Sequence, residues 1–202
     1  MDNVEDILVV VPDGLIINEN GKSYPTNTFS NVLNNVLIKF KSKQTKVLLL
    51  PANDFGSNCS EEIIAKEYLN INGVNNDFLI TGNKSKKGYL DTIDNFREVI
   101  INEGTLNKKK TFISKNLLEG RYKLFTSHLH VERVINAIKL LKLGNPNEIF
   151  CSYAIENERL PLRLIHYKYP TLRYLYEFFA TIYQEIRVYF SKILFINWLR
   201  KR

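Results

Sequence analysis

Tyr122-Lys123-Leu124-Phe125-Thr126-Ser127-His128-Leu129-His130-Val131-Glu132-Arg133 carries a short apolar strand straight into an amphipathic helix. The strand closes on two hydroxyl residues, Thr126 and Ser127. The helix runs from His130 to Leu143, with Val131, Val134, Ile135, Ile138 and Leu141 recurring at helical spacing. At such a junction the first helical N–H groups lack partners within the helix, so anions and polar ligands are favoured there. Of the chain's three histidines, His128 and His130 both fall in this one turn.

Working outward, the same alternation repeats. Apolar runs at Ile7 to Val11, Val47 to Leu50, Phe78 to Ile80, Leu124 to Thr126 and Ile149 to Tyr153 read as buried strands of a parallel sheet. Between them, Phe29 to Phe40 sets Phe29, Val32, Leu33, Val36, Leu37 and Phe40 on one helical face. Ser60 to Ile71 does so with Ile63, Ile64, Tyr68 and Ile71, and Asp91 to Ile101 with Ile93, Phe96, Val99 and Ile100. Right-handed crossovers would stack these helices on both faces of a mostly parallel central sheet, an α/β sandwich of three layers. Gly104 to Gly120 fits a strand, a helical turn or an insertion equally well. Thr171 to Arg202 reads as one long helix or two, packing on the domain formed by residues 1–170 or on a partner.

A chain of 202 residues can bury a core without staples. The formal charge of +7 points to phosphates, anionic lipid or an acidic partner. Its basic residues are dispersed, with short runs at Lys84 to Lys87, Lys108 to Lys110 and Arg200 to Arg202, and no zinc-finger or helix-turn-helix pattern accompanies them, which argues against nucleic acid. Cys59 and Cys151 are too few and too far apart for a disulfide framework or a metal cluster. The start, Met1-Asp2-Asn3-Val4-Glu5-Asp6, is acidic where a signal peptide is basic, and no apolar stretch is long enough to span a bilayer. The expectation is a cytoplasmic protein.

Four groups of residues are candidates for chemistry. His130 and Arg133, three apart, are neighbours on a helix: an imidazole for acid–base work near neutral pH, and a guanidinium able to hold a carboxylate or phosphate with two bonds. A surface His beside a surface Arg is the plain alternative. Ser60-Glu61-Glu62 opens a helix after the second strand. Capping by Ser60 and acids in a first turn explain these residues by themselves, yet a carboxylate at the carboxyl edge of a sheet is also where a base or a ribose-binding group sits. Thr92-Ile93-Asp94-Asn95 starts the next helix, where capping by Asp91 or Thr92 is the default and Asn95 lies beside Thr92. Asp13-Gly14 follows the first strand, and its glycine permits a tight turn and close approach of a ligand to backbone. Histidines two apart with no third ligand make a poor metal site.

In order along the chain, these pieces resemble the ElyC/SanA/YdcF-type family of bacterial α/β proteins, over most of its length. The resemblance rests on Val9 to Gly14, on Glu61 followed by Gly73-Val74, on Thr92-Ile93-Asp94-Asn95, and above all on Thr126-Ser127-His128-Leu129-His130-Val131-Glu132-Arg133, with a softer match at Leu172-Arg173-Tyr174-Leu175-Tyr176-Glu177. The chain departs from the family in having Val11-Pro12-Asp13-Gly14 and Leu50-Pro51-Ala52-Asn53-Asp54-Phe55-Gly56 where members carry glycine-rich turns. Thr26 to Phe29 stands where an arginine is common.

The resemblance implies a Rossmann-like sheet, a cleft at the carboxyl ends of the strands, and binding of S-adenosylmethionine or a related nucleotide-like molecule. It also implies a role in bacterial envelope biogenesis or polysaccharide metabolism, in a branch without an N-terminal membrane span. Three functions are in view. One is an enzyme on a nucleotide-like or envelope-precursor substrate, with His130 and Glu61 catalytic and Arg133, Thr92, Asn95, Ser127, Thr126, Asp13 and Gly14 holding the ligand. Another is a non-catalytic sensor using the same residues. The third is a peripheral membrane scaffold lying on anionic lipid through the aromatic, basic end Asn197-Trp198-Leu199-Arg200-Lys201-Arg202. A second copy of the chain is a further expected partner.

Overall fold

The first apolar run forms the centre of the sheet. In β1 (Ile7–Val10) every residue is buried and alternate side chains part: Ile7, Val9 and the following Val11 join one apolar cluster, Leu8 and Val10 another. A strand apolar on both faces needs helices on each. The computed structural model, which describes residues 6–17, 20–52, 59–81, 91–101, 109–156 and 162–200, has both layers. Side chains are described over the same stretches except at 101, 109–111, 162–164 and 191–200. The first five residues, the lysine run at Lys84 to Lys87, the turn residues Asn53 to Gly56 and the last two residues therefore lie outside the described part.

After β1 comes a small antiparallel pair, β2 (Leu15–Ile17) with β3 (Ser23–Pro25), that the apolar pattern does not announce. Thr26 closes it. Its hydroxyl donates to the Asp13 carbonyl (2.9 Å) and accepts from the Phe29 N–H (3.2 Å), so one side chain ties the turn after β1 and caps α1 (Asn27–Ser42). All six expected apolar residues of α1 are buried. The alternation continues through β4 (Val47–Leu49), α2 (Glu61–Ile71), β5 (Leu79–Thr81), α3 (Thr92–Ile101), α4 (Lys109–Leu118), β6 (Tyr122–Ser127), α5 (Val131–Leu140), β7 (Glu148–Ser152) and α6 (Pro170–Arg200).

The five main strands are parallel, in the order β5-β4-β1-β6-β7. From β1 the chain builds outward to β4 and β5, then returns to the other side of β1 for β6 and β7. The strand order thus reverses between β1 and β6, and the crevice beyond their carboxyl ends is where open α/β sheets bind ligands. One cluster packs α1 and α2 against the sheet, and the other packs α3, α4 and α5 together with Val188 of α6. The arrangement is the Rossmann-like three-layer sandwich expected.

Several details differ from expectation. Phe78 belongs to a 3-10 turn, Asn76–Phe78, and the strand begins at Leu79. The run ending at Tyr153 is an edge strand, beyond which no strand pairs among the described residues, and Ile149 and Cys151 are exposed. Helix α2 buries Ile64, Ala65 and Leu69, while Ile63 and Ile71 face out. Its first-turn acids Glu61 and Glu62 are buried against neighbouring turns, and this rotates the inward stripe. The undecided stretch before Gly120 is helical from Lys109, anchored by Ile113 and Leu117 in the core; its earlier residues, from Gly104, lie outside the described part. The C-terminal segment is a single helix from Pro170 to Arg200.

Candidate functional site

The two strand ends at the reversal point bring Asp13-Gly14 from β1 against Ser127 to His130 from β6. Asp13 is 2 % exposed. Its Oδ1 pairs with the Arg173 guanidinium of α6, accepts a hydrogen bond from the Tyr167 hydroxyl (3.2 Å) and lies 3.6 Å from His130 Nδ1. Burial alone would raise this carboxyl. The charge of Arg173, together with His130, overrides that effect and holds it well below the usual carboxylate range. A carboxyl held this low keeps its negative charge near neutral pH.

His130 occupies the N-cap position of α5, with its N–H on the Ser127 carbonyl (3.2 Å). Far from the protein surface, it and Arg133 are 5 % and 6 % exposed. Its Nε2 lies 3.0 Å from the Thr92 hydroxyl at the start of α3, and its Nδ1 faces Asp13. A carboxylate, an imidazole and a hydroxyl in this order have the connectivity by which an imidazole takes a hydroxyl proton. Arg133 Nη2 also approaches Nδ1 (3.4 Å), so the tautomer decides whether the imidazole accepts from Thr92 or donates to it. His128 is exposed and takes no part.

Glutamates fill the backbone donors near this edge. Ser60 sits at the N-cap position of α2 but makes no capping bond with its side chain. Glu61, one residue on, accepts from the Gly14 N–H, and Glu62 accepts from the Ala52 N–H (3.0 Å). Glu156, in the loop after β7, accepts from the Asn27 N–H (2.8 Å) and side-chain amide (3.0 Å) at the start of α1. The turn after the first strand and the start of the first helix are where dinucleotide-binding folds seat a pyrophosphate. Here both positions hold carboxylates of the chain itself. Gly14 has φ +96°, and a Cβ there would come within 2.6 Å of the Tyr167 ring, so this glycine is required by the ring that lies over it.

Helix α6 closes the site. Arg173 reaches both Asp13 and Glu177 (2.9 Å), and Glu177 lies 2.8 Å from Arg133 Nε. The Arg173 guanidinium also stacks 4.1 Å above the Tyr167 ring. Burial pushes the Tyr167 hydroxyl well above its ordinary value, keeping it a donor to Asp13. Neighbouring His166 stacks on Tyr176 with ring centroids 4.4 Å apart, and burial, aided by the charge of Arg173, lowers it to about 4. Arg173, Glu177, Tyr167 and Glu156 were not among the residues expected here. The spacing Arg173-x-x-x-Glu177 was the available signal for the first two, and nothing local marked the others.

Asp13, Gly14, Glu61, Thr92, Ser127, His130 and Arg133 thus meet at one edge. Asn95 has a different role. Oriented so that its amide nitrogen donates, it bonds the Pro51 (3.0 Å) and Asp91 (3.1 Å) carbonyls, tying α3 to the turn after β4. Thr126, fully buried, shares by strand alternation the face of Leu124 rather than that of Ser127. The space left among Asp13, Ser127, Tyr167 and Arg173 is about 10 Å³, room for one water-sized group. Asp13 Oδ2 and Ser127 Oγ have no hydrogen-bond partner among the described residues. A larger groove of about 490 Å³ runs between α5 and α6, with Glu177 in its wall.

Among the described residues no group of three or more His, Cys, Asp or Glu side chains is placed to hold a metal ion. None of the described helices is long and apolar enough to cross a membrane. No protein-family model matches the chain, and neither does any curated protein or solved structure.

Proposed function

We propose that this chain binds a small nucleotide-like molecule at the reversal point of its sheet, as the resemblance to the ElyC/SanA/YdcF-type family implies. One observation carries this. Asp13, His130, Arg133, Arg173 and Glu177, drawn from the turn after β1, the start of α5 and the last helix, form a buried ionic network at the place where open α/β sheets take ligands. Burying charge is costly, and ion pairs of this kind contribute little net stability compared with apolar packing. Such a network in a cleft favours a functional origin. Because Glu61 and Glu156 occupy the donors that would hold a pyrophosphate, S-adenosylmethionine, a cationic nucleoside without phosphates, suits the edge better than a nucleotide-sugar.

The Thr92 and His130 pair favours an enzyme over a pure sensor. In that case His130 moves the proton of a hydroxyl, Asp13 fixes its ring, and Arg133 holds the anionic end of an envelope or polysaccharide precursor. Calorimetric titration with S-adenosylmethionine, nucleotide-sugars and polyprenyl-phosphate analogues, repeated on His130→Ala and Arg133→Ala, tests the assignment. Binding that disappears in both variants is the expected result. Absence of binding to all three ligand classes would sink it, and binding without consumption of any ligand would favour the sensor.

A further inference from the structure

Glu177 sits in the molecule the way a ligand would. Its Oε2 lies 2.8 Å from Arg133 Nε; its Oε1 lies 2.9 Å from Arg173 Nη2, 3.5 Å from Arg133 Nη2 and 3.8 Å from His130 Nδ1. Two guanidinium groups and an imidazole converging on one carboxylate are the recognition pattern for a carboxylate or a phosphate. All four side chains are 4–6 % exposed. Arg133 and Arg173 face Asp13 and Glu177, Asp91 adds its charge to Arg133, and Asp91 and Asp94 pair with Arg187. With Glu177 withdrawn, Arg133 and Arg173 would each lose their close contact with this carboxylate.

A second feature points the same way. Arg173 Nε and Nη1 have no hydrogen-bond partner among the described residues, although the side chain is almost wholly buried. Buried donors of this kind call for an explanation. The groove between α5 and α6 has Glu177, and neither arginine, in its wall, so Glu177 stands between the groove and the guanidiniums; its volume, about 490 Å³, falls in the range of small-molecule sites. Leu129, Val131, Phe178 and Ile182 make the wall apolar, whereas Glu132 and Glu185 on the same wall disfavour a polyanion.

We propose that Arg133 and Arg173 form an anion site for a small molecule with one carboxylate or phosphate head on an apolar or aromatic body, and that Glu177 is its internal occupant, displaced when that ligand enters by the groove between α5 and α6. The proposal deepens the ligand-binding role assigned to this edge and rests on it.

The probes are phenylacetate, phenyl phosphate, acetate and inorganic phosphate, titrated by calorimetry into the full chain and into Glu177→Ala and Glu177→Gln. Both variants should bind the aromatic anions roughly tenfold or more tighter than the unaltered chain, the weight of about one charge-assisted contact. Acetate and inorganic phosphate should bind more weakly than their aromatic counterparts. The preferred head group separates a carboxylate ligand from a phosphate one. Removing Arg133 or Arg173 in the Glu177→Ala background should abolish the gain.

No gain in folded Glu177 variants, or a gain that survives loss of both arginines, overturns the proposal. If the variants are unstable, excess phenyl phosphate should raise their melting temperature by supplying the anion that Arg133 and Arg173 have lost, and no rise counts against the site. Simple anions make the two ideas separable. Anion binding without S-adenosylmethionine or nucleotide binding keeps the clamp and removes the nucleotide-like ligand, and the converse result removes the clamp alone.

Discussion

Helices α1 and α6 are built with opposite sides facing the domain. In α1 the inward residues are Phe29, Val32, Leu33, Val36, Leu37 and Phe40, while Asn31 and Asn34 face out. In α6 the buried stripe is Arg173, Glu177, Gln184 and Val188, and the exposed face carries Tyr174, Leu175, Phe178, Phe179, Ile182 and Tyr183. The first helix is held by removal of apolar surface from water, at about 1.5–3 kcal/mol for each large side chain. Over its described side chains the last meets the domain chiefly through ion pairs, which respond to pH and to competing charges. A helix fixed in that way suits a site cover better than a structural brace.

The largest break in this contrast should come from Phe29→Ala, which leaves a cavity in the α1 layer and costs about 3–5 kcal/mol. Denaturant unfolding should show that loss unchanged by salt. Next comes Arg173→Ala, which strands Asp13 and Glu177 without their shared cation and should cost about 3 kcal/mol. Its effect should shrink in the double variant with Asp13→Asn, and strict additivity would refute the coupling.

Acid should loosen the α6 side of the molecule. Asp13 is held below its ordinary range, so its contribution is present above the unfolded carboxylate value, about 3.9, and is lost as pH falls below it. His166 is lowered to about 4 from 6.5, so the unfolded chain takes up its proton first and stability declines as pH falls from about 6.5 toward about 4. In His166→Phe, unfolding free energies measured across that interval should lose most of their slope. A slope equal to that of the unaltered chain would mean that His166 titrates normally.

Arg187 gives a milder case. It pairs with Asp91 and Asp94 but its side chain is 31 % exposed, so Arg187→Ala should cost only about 1 kcal/mol or less, and less still at high salt. Smallest of all is Phe179→Ser on the outer face of α6, where Phe179 is 63 % exposed; a change within about 0.5 kcal/mol is expected in thermal melts of dilute protein. A larger loss would show that this face is covered in solution.

The same contrast explains what could be read from the sequence. Ile7 to Val11 and Val47 to Leu50 announce themselves because strands buried on both faces need unbroken apolar runs, and α1 because its inward stripe repeats at helical spacing. Strands of three residues, as in β2 and β3, and a lysine-rich helix with two anchors, Ile113 and Leu117, leave too weak a pattern. At the candidate site, Thr126 to Arg133 stands out through rare histidines beside a strand end. Arg173 and Glu177 do not, because the rule that apolar faces turn inward assigns them to solvent, and α6 inverts that rule. Glu61 is legible as a first-turn acid, but its partner, the Gly14 N–H, lies 47 residues away and leaves no local trace.

Asp13 and Arg173 are separated by 160 positions. A ribosome adding about 5–20 residues each second releases the first of them roughly 8–32 s before the second. Throughout that interval β1 can pair with β4 and later with β6, yet its terminal carboxylate has no guanidinium to meet. The reversal point is therefore finished last in the life of each molecule, after the sheet that supports it, and a chain stalled before residue 173 would carry a formed scaffold whose central negative charge faces His130 but lacks its guanidinium.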